Sequence, residues 1–308
     1  MPEVMQVLDA HVSPATDRAP AIREIFGKHL QTLLRLDHAW TTTHLRDILP
    51  TEPEHARAYR AAWNGHLESS PTDAGWALLR PQYMRAVETL TPTTDNEWAK
   101  MRASRLAFHL GNRFWFGQLD LDDPDGLLRR FYERAPAEAT STIIGSAGRT
   151  LKREEPIDPG LRDRLVRLWE HRIDAVRDGS DPTELLDFGL WFVNGEFDDA
   201  WSLAQLRDVL VLDPDVGLDL AVLRRLHTLA PAYPQECLRV LERFAGRPDH
   251  HGGVVRRNET LIRDIIAAAC VVDDAAASAA TRLVSAFAAD GFDFRKSLDG
   301  NTGPSAEN

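Results

Sequence analysis

The segment DLDDPDG at 120–126 puts four carboxylates into seven residues, the raw material of a calcium loop. An EF-hand loop needs oxygen ligands at positions 1, 3 and 5, glycine at 6 and glutamate at 12. Setting Gly126 at position 6 places Leu121 at position 1 and Tyr132 at position 12, neither of which can ligate through a carboxylate. The acids read instead as a helix cap and turn. GSAGRT at 145–150 brushes against a phosphate loop, but Ile143 stands where the first glycine belongs and Arg149 where the lysine belongs. The flank AEATSTII has helical rather than strand character, so these small residues read as a place where a neighbouring helix approaches closely. His250-His251 lies in what reads as a glycine-rich loop, with no HExxH or paired His/Cys spacing around it. Cys237 and Cys270 sit in apolar helical contexts and read as buried small hydrophobes, in keeping with a reducing cytoplasm. No G-x-S-x-G elbow occurs. The reading is a protein without intrinsic catalysis, cofactor or metal.

LWFVNGEFDDAW at 190–201 offers two alternatives, a ligand pocket rimmed by acids or a corner between packed helices. PTELLDFGLWFV reads as one helix starting at Pro182 after the cap Asp181. Asn194-Gly195 supplies its stop, because both residues tolerate the left-handed backbone conformation. Asp198 reads as the N-cap of DAWSLAQLRDVLVL. The residues Trp191, Phe192, Gly195, Phe197, Asp198 and Trp201 then form a structural corner, since aromatics at helical spacing usually bury area.

The elements that must carry these residues are helices. Apolar residues recur at three- and four-residue intervals, and strict alternation is nearly absent. IREIFGKHLQTLLRL places Ile22, Ile25, Phe26, Leu30, Leu33 and Leu34 on one face; HARAYRAAWNGHL does the same with Ala58, Tyr59, Ala62, Trp63 and Leu67. LRDRLVRLWEHRIDAV aligns Leu161, Leu165, Leu168, Trp169, Ile173 and Val176, while LIRDIIAAACVV is apolar on most sides and reads as buried between neighbours. Proline, glycine and capping residues interrupt the helices at LPTEP, SSPTD, DDPDG, RAPAE, DGSDPT and APAYP. The spacing predicts helices of roughly 11–20 residues, paired about every 40 residues in the manner of HEAT repeats. The expected fold is therefore all-α, an α-solenoid of degenerate antiparallel helix pairs over residues 1–298. A soft division is expected near 155–160, and a disordered polar tail over 299–308.

Composition bounds the function. Of 308 residues, 43% are hydrophobic and 27% charged, with a formal net charge of −11. An acidic chain starts poorly as a nucleic-acid binder, since that binding rests on phosphate neutralisation. Lysine occurs only at positions 28, 100, 152 and 296, so nearly all positive charge is arginine. No run reaches the ~18 apolar residues of a membrane span, and MPEVMQVLDAHVSPATDRAP lacks the apolar core of a secretion signal.

Taken in order, YRAAWNGHL, LLRPQYMRAV, RFWFGQLDLDDPDGLLRRFYERAP, IIGSAGRTL, LWEHRIDAV, FGLWFVNGEFDDAW and AAACVVDDAAASAATRLVSAFAADGFDFRKSL resemble the helical C-terminal region of large bacterial P-loop NTPases and sirtuin-like anti-phage defence proteins. The resemblance covers most of residues 50–298 and implies a HEAT- or TPR-like array that senses a ligand or holds an assembly. The chain begins at Met1 without the nucleotide-binding or effector domain of those proteins. No catalytic residue carries over, and the expectation is a separately encoded NTPase or effector as partner, or a detached remnant. The leading expectation is a noncatalytic scaffold binding a protein partner. The alternatives are a nucleic-acid-binding helical repeat, which needs a local arginine stripe, and a helical-repeat enzyme such as a DNA glycosylase, which needs a groove with converging acids.

Overall fold

A computed structural model describes residues 2–17, 19–92, 95–151, 156–194, 197–212, 220–243 and 248–299. Every regular element among them is helical, with seventeen α-helices and three short 3-10 segments. Contacts group the chain into two compact units, Met1–Ile143 and Ile144–Asn308.

The N-terminal unit contains α1 (Pro2–Val12), α2 (Pro20–Leu36), α3 (His38–Thr43), α4 (Leu45–Ile48), α5 (Ala56–His66), α6 (Asp73–Glu88), α7 (Glu97–Trp115), α8 (Leu127–Arg134) and the first half of α9 (Ala137–Leu151). Its tightest pair is α2 against α5. A Cβ on Gly27 would fall 1.8 Å from the Ala62 carbonyl oxygen, and one on Gly65 would fall 2.1 Å from that of Glu24. The two backbones touch where side chains would otherwise hold them apart. This geometry turns the buried face of α2 away from the one its apolar residues suggest. Arg23, Gly27 and Gln31 are buried alongside Phe26, Leu30 and Leu34, whereas Ile25 is 53% exposed. Arg23 is accommodated because its guanidinium donates to the carbonyls of His11 and Val12 at the end of α1, replacing the water it has lost. Burial holds its pKa below the usual arginine value, with Asp17 and Asp47 opposing that shift.

The C-terminal unit continues with α10 (Pro159–Arg177), α11 (Phe188–Asn194), α12 (Asp199–Leu212), α13 (Leu220–Leu229), α14 (Pro234–Leu241), α15 (Pro248–Arg257), α16 (Glu259–Cys270) and α17 (Asp274–Ala289). Here several helices pack on the next but one, α10 on α12, α12 on α14, α14 on α16 and α11 on α13, while α16 also packs on α17 and on α13, and α11 on α12. The stripe read on α10 is buried throughout, from Leu161 to Val176. Helix α16 lies against α13, α14 and α17 as its all-round apolar sequence requires, although Val271 and Val272, just past its end, are exposed.

Several expectations are corrected. Helices of 4, 6, 7 and 8 residues occur (α4, α3, α11 and α8), because tight turns and caps cut the periodic segments shorter than 11 residues. The segment GRPDHHGG at 246–253, read as a glycine-rich loop, enters helix α15 from Pro248 onward, and 246 and 247 lie outside the described residues. Pro248 opens it with the backbone angle a first turn needs, and Val255 anchors it in the core. The segment from Pro182 is not one helix: a 3-10 turn over Pro182–Leu185 precedes α11. That turn carries Glu184 inward to Arg172 of α10, and both are buried in a charge-assisted pair.

Candidate functional site

The aromatic corner is built around Trp169, which the sequence placed on α10 but not in the corner. Its ring stacks on Phe188 at 4.7 Å and meets Trp191, Phe197 and Trp201 edge-on at 5.7, 5.7 and 5.3 Å. Trp191, Phe192 and Phe197 are buried, while Trp201 is half-buried and donates its indole N–H to Glu170 at 3.1 Å. The Trp191 indole donates to the Ile144 carbonyl at 2.8 Å. Gly148 of GSAGRT allows that approach, since a Cβ there would lie 2.8 Å from the Trp191 ring. Asp198 caps α12, accepting from the Trp201 amide at 2.8 Å. Gly195 lies outside the described residues. These contacts pack the aromatic rings together, with the polar atoms of Trp191, Trp201 and Asp198 engaged in anchoring and capping, while the Trp169 indole N–H is buried without a partner among the described residues.

The acids of DLDDPDG are likewise engaged structurally. Arg80 donates to Asp125 at 2.8 Å and to Asp123 at 3.2 Å. Arg129 reaches Asp122 at 2.9 Å. Gly126 adopts φ +61, which glycine reaches without strain, and the chain turns there into α8. Among the described residues no group of three or more His, Cys, Asp or Glu side chains could hold a metal ion. The side chains of His250 and His251 are outside the described set. Burial pushes the Cys237 thiol up to about 12 and raises that of Cys270, so neither is a ready thiolate nucleophile.

Sequence reading missed a buried polar chain in the N-terminal unit. His66 Nε2 lies 2.9 Å from the Tyr83 hydroxyl, which lies 2.7 Å from His109 Nδ1, and all three residues are fully buried. Among the described residues neither His66 Nδ1 nor His109 Nε2 has a partner within hydrogen-bond geometry, but the backbone of Leu67 and Ser69 lies near His109 and, against burial, acts to raise its pKa. A bare nitrogen is less costly to bury than an unsatisfied N–H. The consistent assignment has His66 donating to Tyr83, Tyr83 donating to His109, and His109 directing its other N–H towards that backbone. Burial first, then the neighbouring His109, holds His66 down to about 3; burial holds His109 down to about 4. Both rings are therefore neutral near pH 7.

Beside this chain opens a pocket of about 370 Å³, within the size range of small-ligand sites. Helix α5 supplies Tyr59, Arg60 and Trp63, α6 supplies Arg85, and α7 supplies Arg102. Its apolar lining includes Leu67, Ala103 and Leu106. The Tyr59 and Trp63 rings, one helical turn apart, are parallel within 5° with centroids 6.3 Å apart. The Arg85 guanidinium sits 4.5 Å from the Tyr59 ring centre, a cation–π distance. The Tyr59 hydroxyl is buried without a partner, and burial pushes its pKa up to about 12, so it remains an O–H donor. No acidic residue lines the pocket among those described. The sequence reading had Tyr59 and Trp63 on a core-facing stripe. Trp63 is indeed buried, but Tyr59 is only half-buried and opens onto the pocket. The available signal was the arginine beside Tyr59 on α5. Its convergence with Arg85 and Arg102 depends on helix packing, which spacing alone does not reveal.

No protein-family model matches the chain, and no curated protein or solved structure matches it. The resemblance to helical regions of defence proteins thus rests on the quoted segments alone. No helix among the described residues is long and apolar enough to cross a membrane.

Proposed function

We propose that this chain is a noncatalytic helical binding module whose recognition site is the arginine-lined pocket of the N-terminal unit. The observation that carries the reading is the convergence of Arg60, Arg85 and Arg102 with Tyr59 and Trp63 around one cavity of about 370 Å³. Guanidinium groups and a phenol held near pKa 12 bind anions and rings, but they exchange few protons near neutral pH. Three groups with more versatile proton or thiol chemistry, His66, His109 and Cys237, are buried in the core.

The proposed arrangement is an α-solenoid of degenerate HEAT-like pairs. The next-but-one packing of α10, α12, α14 and α16 supports it, because stacked helical hairpins bring equivalent helices together. Such an array presents extended surface, and we propose that it acts in the cytoplasm through a protein partner. Substituting Ala99, a half-buried residue lining the pocket, with phenylalanine should fill the cavity. In thermal melts against a library of small organic anions, some compounds should raise the wild-type midpoint by several degrees and leave Ala99→Phe unmoved. A library that shifts neither protein, or shifts both alike, would overturn the assignment.

A further inference from the structure

The pocket combines two kinds of lining that a single ligand must satisfy, and its charge is unbalanced. Arg60, Arg85 and Arg102 all line it, yet among the described residues none makes an ion pair with a carboxylate. Nearby arginines of the same unit do so: Arg80 with Asp123 and Asp125, Arg105 with Glu68, Arg113 with Asp73 and Arg130 with Glu88. Three arginines without a carboxylate partner among the described residues therefore line one cavity in a chain of net charge −11. Arg85 and Arg102 are half-buried, and Arg60 is exposed with its Nε donating to the Ala56 carbonyl at 3.4 Å. Guanidinium repulsion falls most when the occupant brings more than one negative charge, so a single carboxylate leaves the cluster unbalanced. A phosphate monoester presents a dianion and several acceptor oxygens suited to the guanidinium fork.

Opposite demands come from the rest of the lining. Tyr59 and Trp63 present parallel rings, and Ala86, Leu90, Ala103 and Leu106 make an apolar wall. A flat ring lies against such surfaces with more contact than a branched or strongly hydrated body. Free inorganic phosphate would satisfy only the arginines, and an uncharged aromatic only the wall.

Resting on the reading of this cavity as the recognition site, we infer that it binds a phosphate monoester of a flat aromatic or heteroaromatic group, a ligand of mononucleotide kind. The arginines hold the phosphate, and the aromatic and aliphatic lining takes the ring. No bond is made or broken.

Titration calorimetry on the full chain tests this with the four ribonucleoside 5′-monophosphates, phenyl phosphate, adenosine, inorganic phosphate and indole-3-acetate. At least one phosphate ester should bind with one-to-one stoichiometry. Adenosine, inorganic phosphate and indole-3-acetate should each bind at least ten-fold more weakly than that ester. Arg85→Gln and Arg102→Gln should each weaken it at least ten-fold, whereas Arg282→Gln, at an exposed position in the other unit, should leave it unchanged. Raising the salt concentration should weaken the ester more than adenosine. Equal binding by indole-3-acetate would overturn the phosphate assignment, as would ester binding that Arg85→Gln and Arg102→Gln leave intact. Binding by none of the five esters would overturn it too. In that case, anion-induced stabilisation of wild type but not Ala99→Phe would still uphold the pocket with another ligand class. Loss of both results would overturn the pocket as well.

Discussion

Trp191 has no exposed surface, meets three aromatic rings and anchors its indole N–H on the Ile144 carbonyl. Trp191→Ala should therefore destabilise the C-terminal unit by about 3–5 kcal/mol, readable in denaturant melts. Trp201 keeps part of its ring in water, so Trp201→Ala should cost about 1–2 kcal/mol, in proportion to the smaller area lost. An equal loss at both positions would contradict this ordering. The buried histidines give a prediction in pH. Their folded pKa values, about 3 for His66 and about 4 for His109, lie below the ~6.5 of an unfolded histidine. Below that value the unfolded chain takes up protons that the native chain refuses, so stability is full above pH ~6.5 and falls on acidification. The decline approaches ~1.4 kcal/mol per pH unit for each histidine and ends once the folded rings protonate. Between pH 6.5 and 5, His66→Gln should melt with a shallower pH dependence than wild type. An unchanged slope would show that the histidines do not drive the decline.

Helices were the most readable level of this protein, and the reasons can be named. The α10 stripe has apolar residues at every core-facing turn, and it is buried as its periodicity requires. Helix α2 misleads because its closest neighbour selects glycine and polar positions: Gly27 must meet a backbone, and Arg23 and Gln31 follow on the same face. Asp198 was recognisable as a cap because capping is local chemistry. Trp169 as the hub and the pocket arginines were not, since they converge from helices distant in sequence. The glycines sharpen the contrast between local preference and packing. Replacing glycine with alanine inside a helix ordinarily gains up to ~1 kcal/mol. Gly253→Ala in α15, where an added Cβ meets nothing within 4 Å, should show that gain. Gly27→Ala should instead lose more than ~3 kcal/mol, because the added carbon would collide with an immovable peptide oxygen. Chemical-denaturation midpoints of the two variants should move in opposite directions; movement in the same direction would refute the close-approach argument.

For the molecule as a whole, far-UV circular dichroism should show a helical spectrum without a strand component, as the elements among the described residues require. A substantial strand signal would be incompatible with them. The sequence pI of about 5.5 places the charge balance on the acid side of neutrality. Solubility should pass through its minimum near that pH, where long-range repulsion between molecules vanishes, and a turbidity profile would locate it. The α2–α5 contact has a further consequence, this one in time. At Gly27 and Gly65 two peptide backbones meet with no side chain between them, leaving no layer through which solvent can enter by a small local motion. Deuterium can reach the amides of that seam only when the helices separate, which is an opening of the N-terminal unit itself. Their exchange should be the slowest in that unit, making these few amides a clock for its rarest and largest fluctuation.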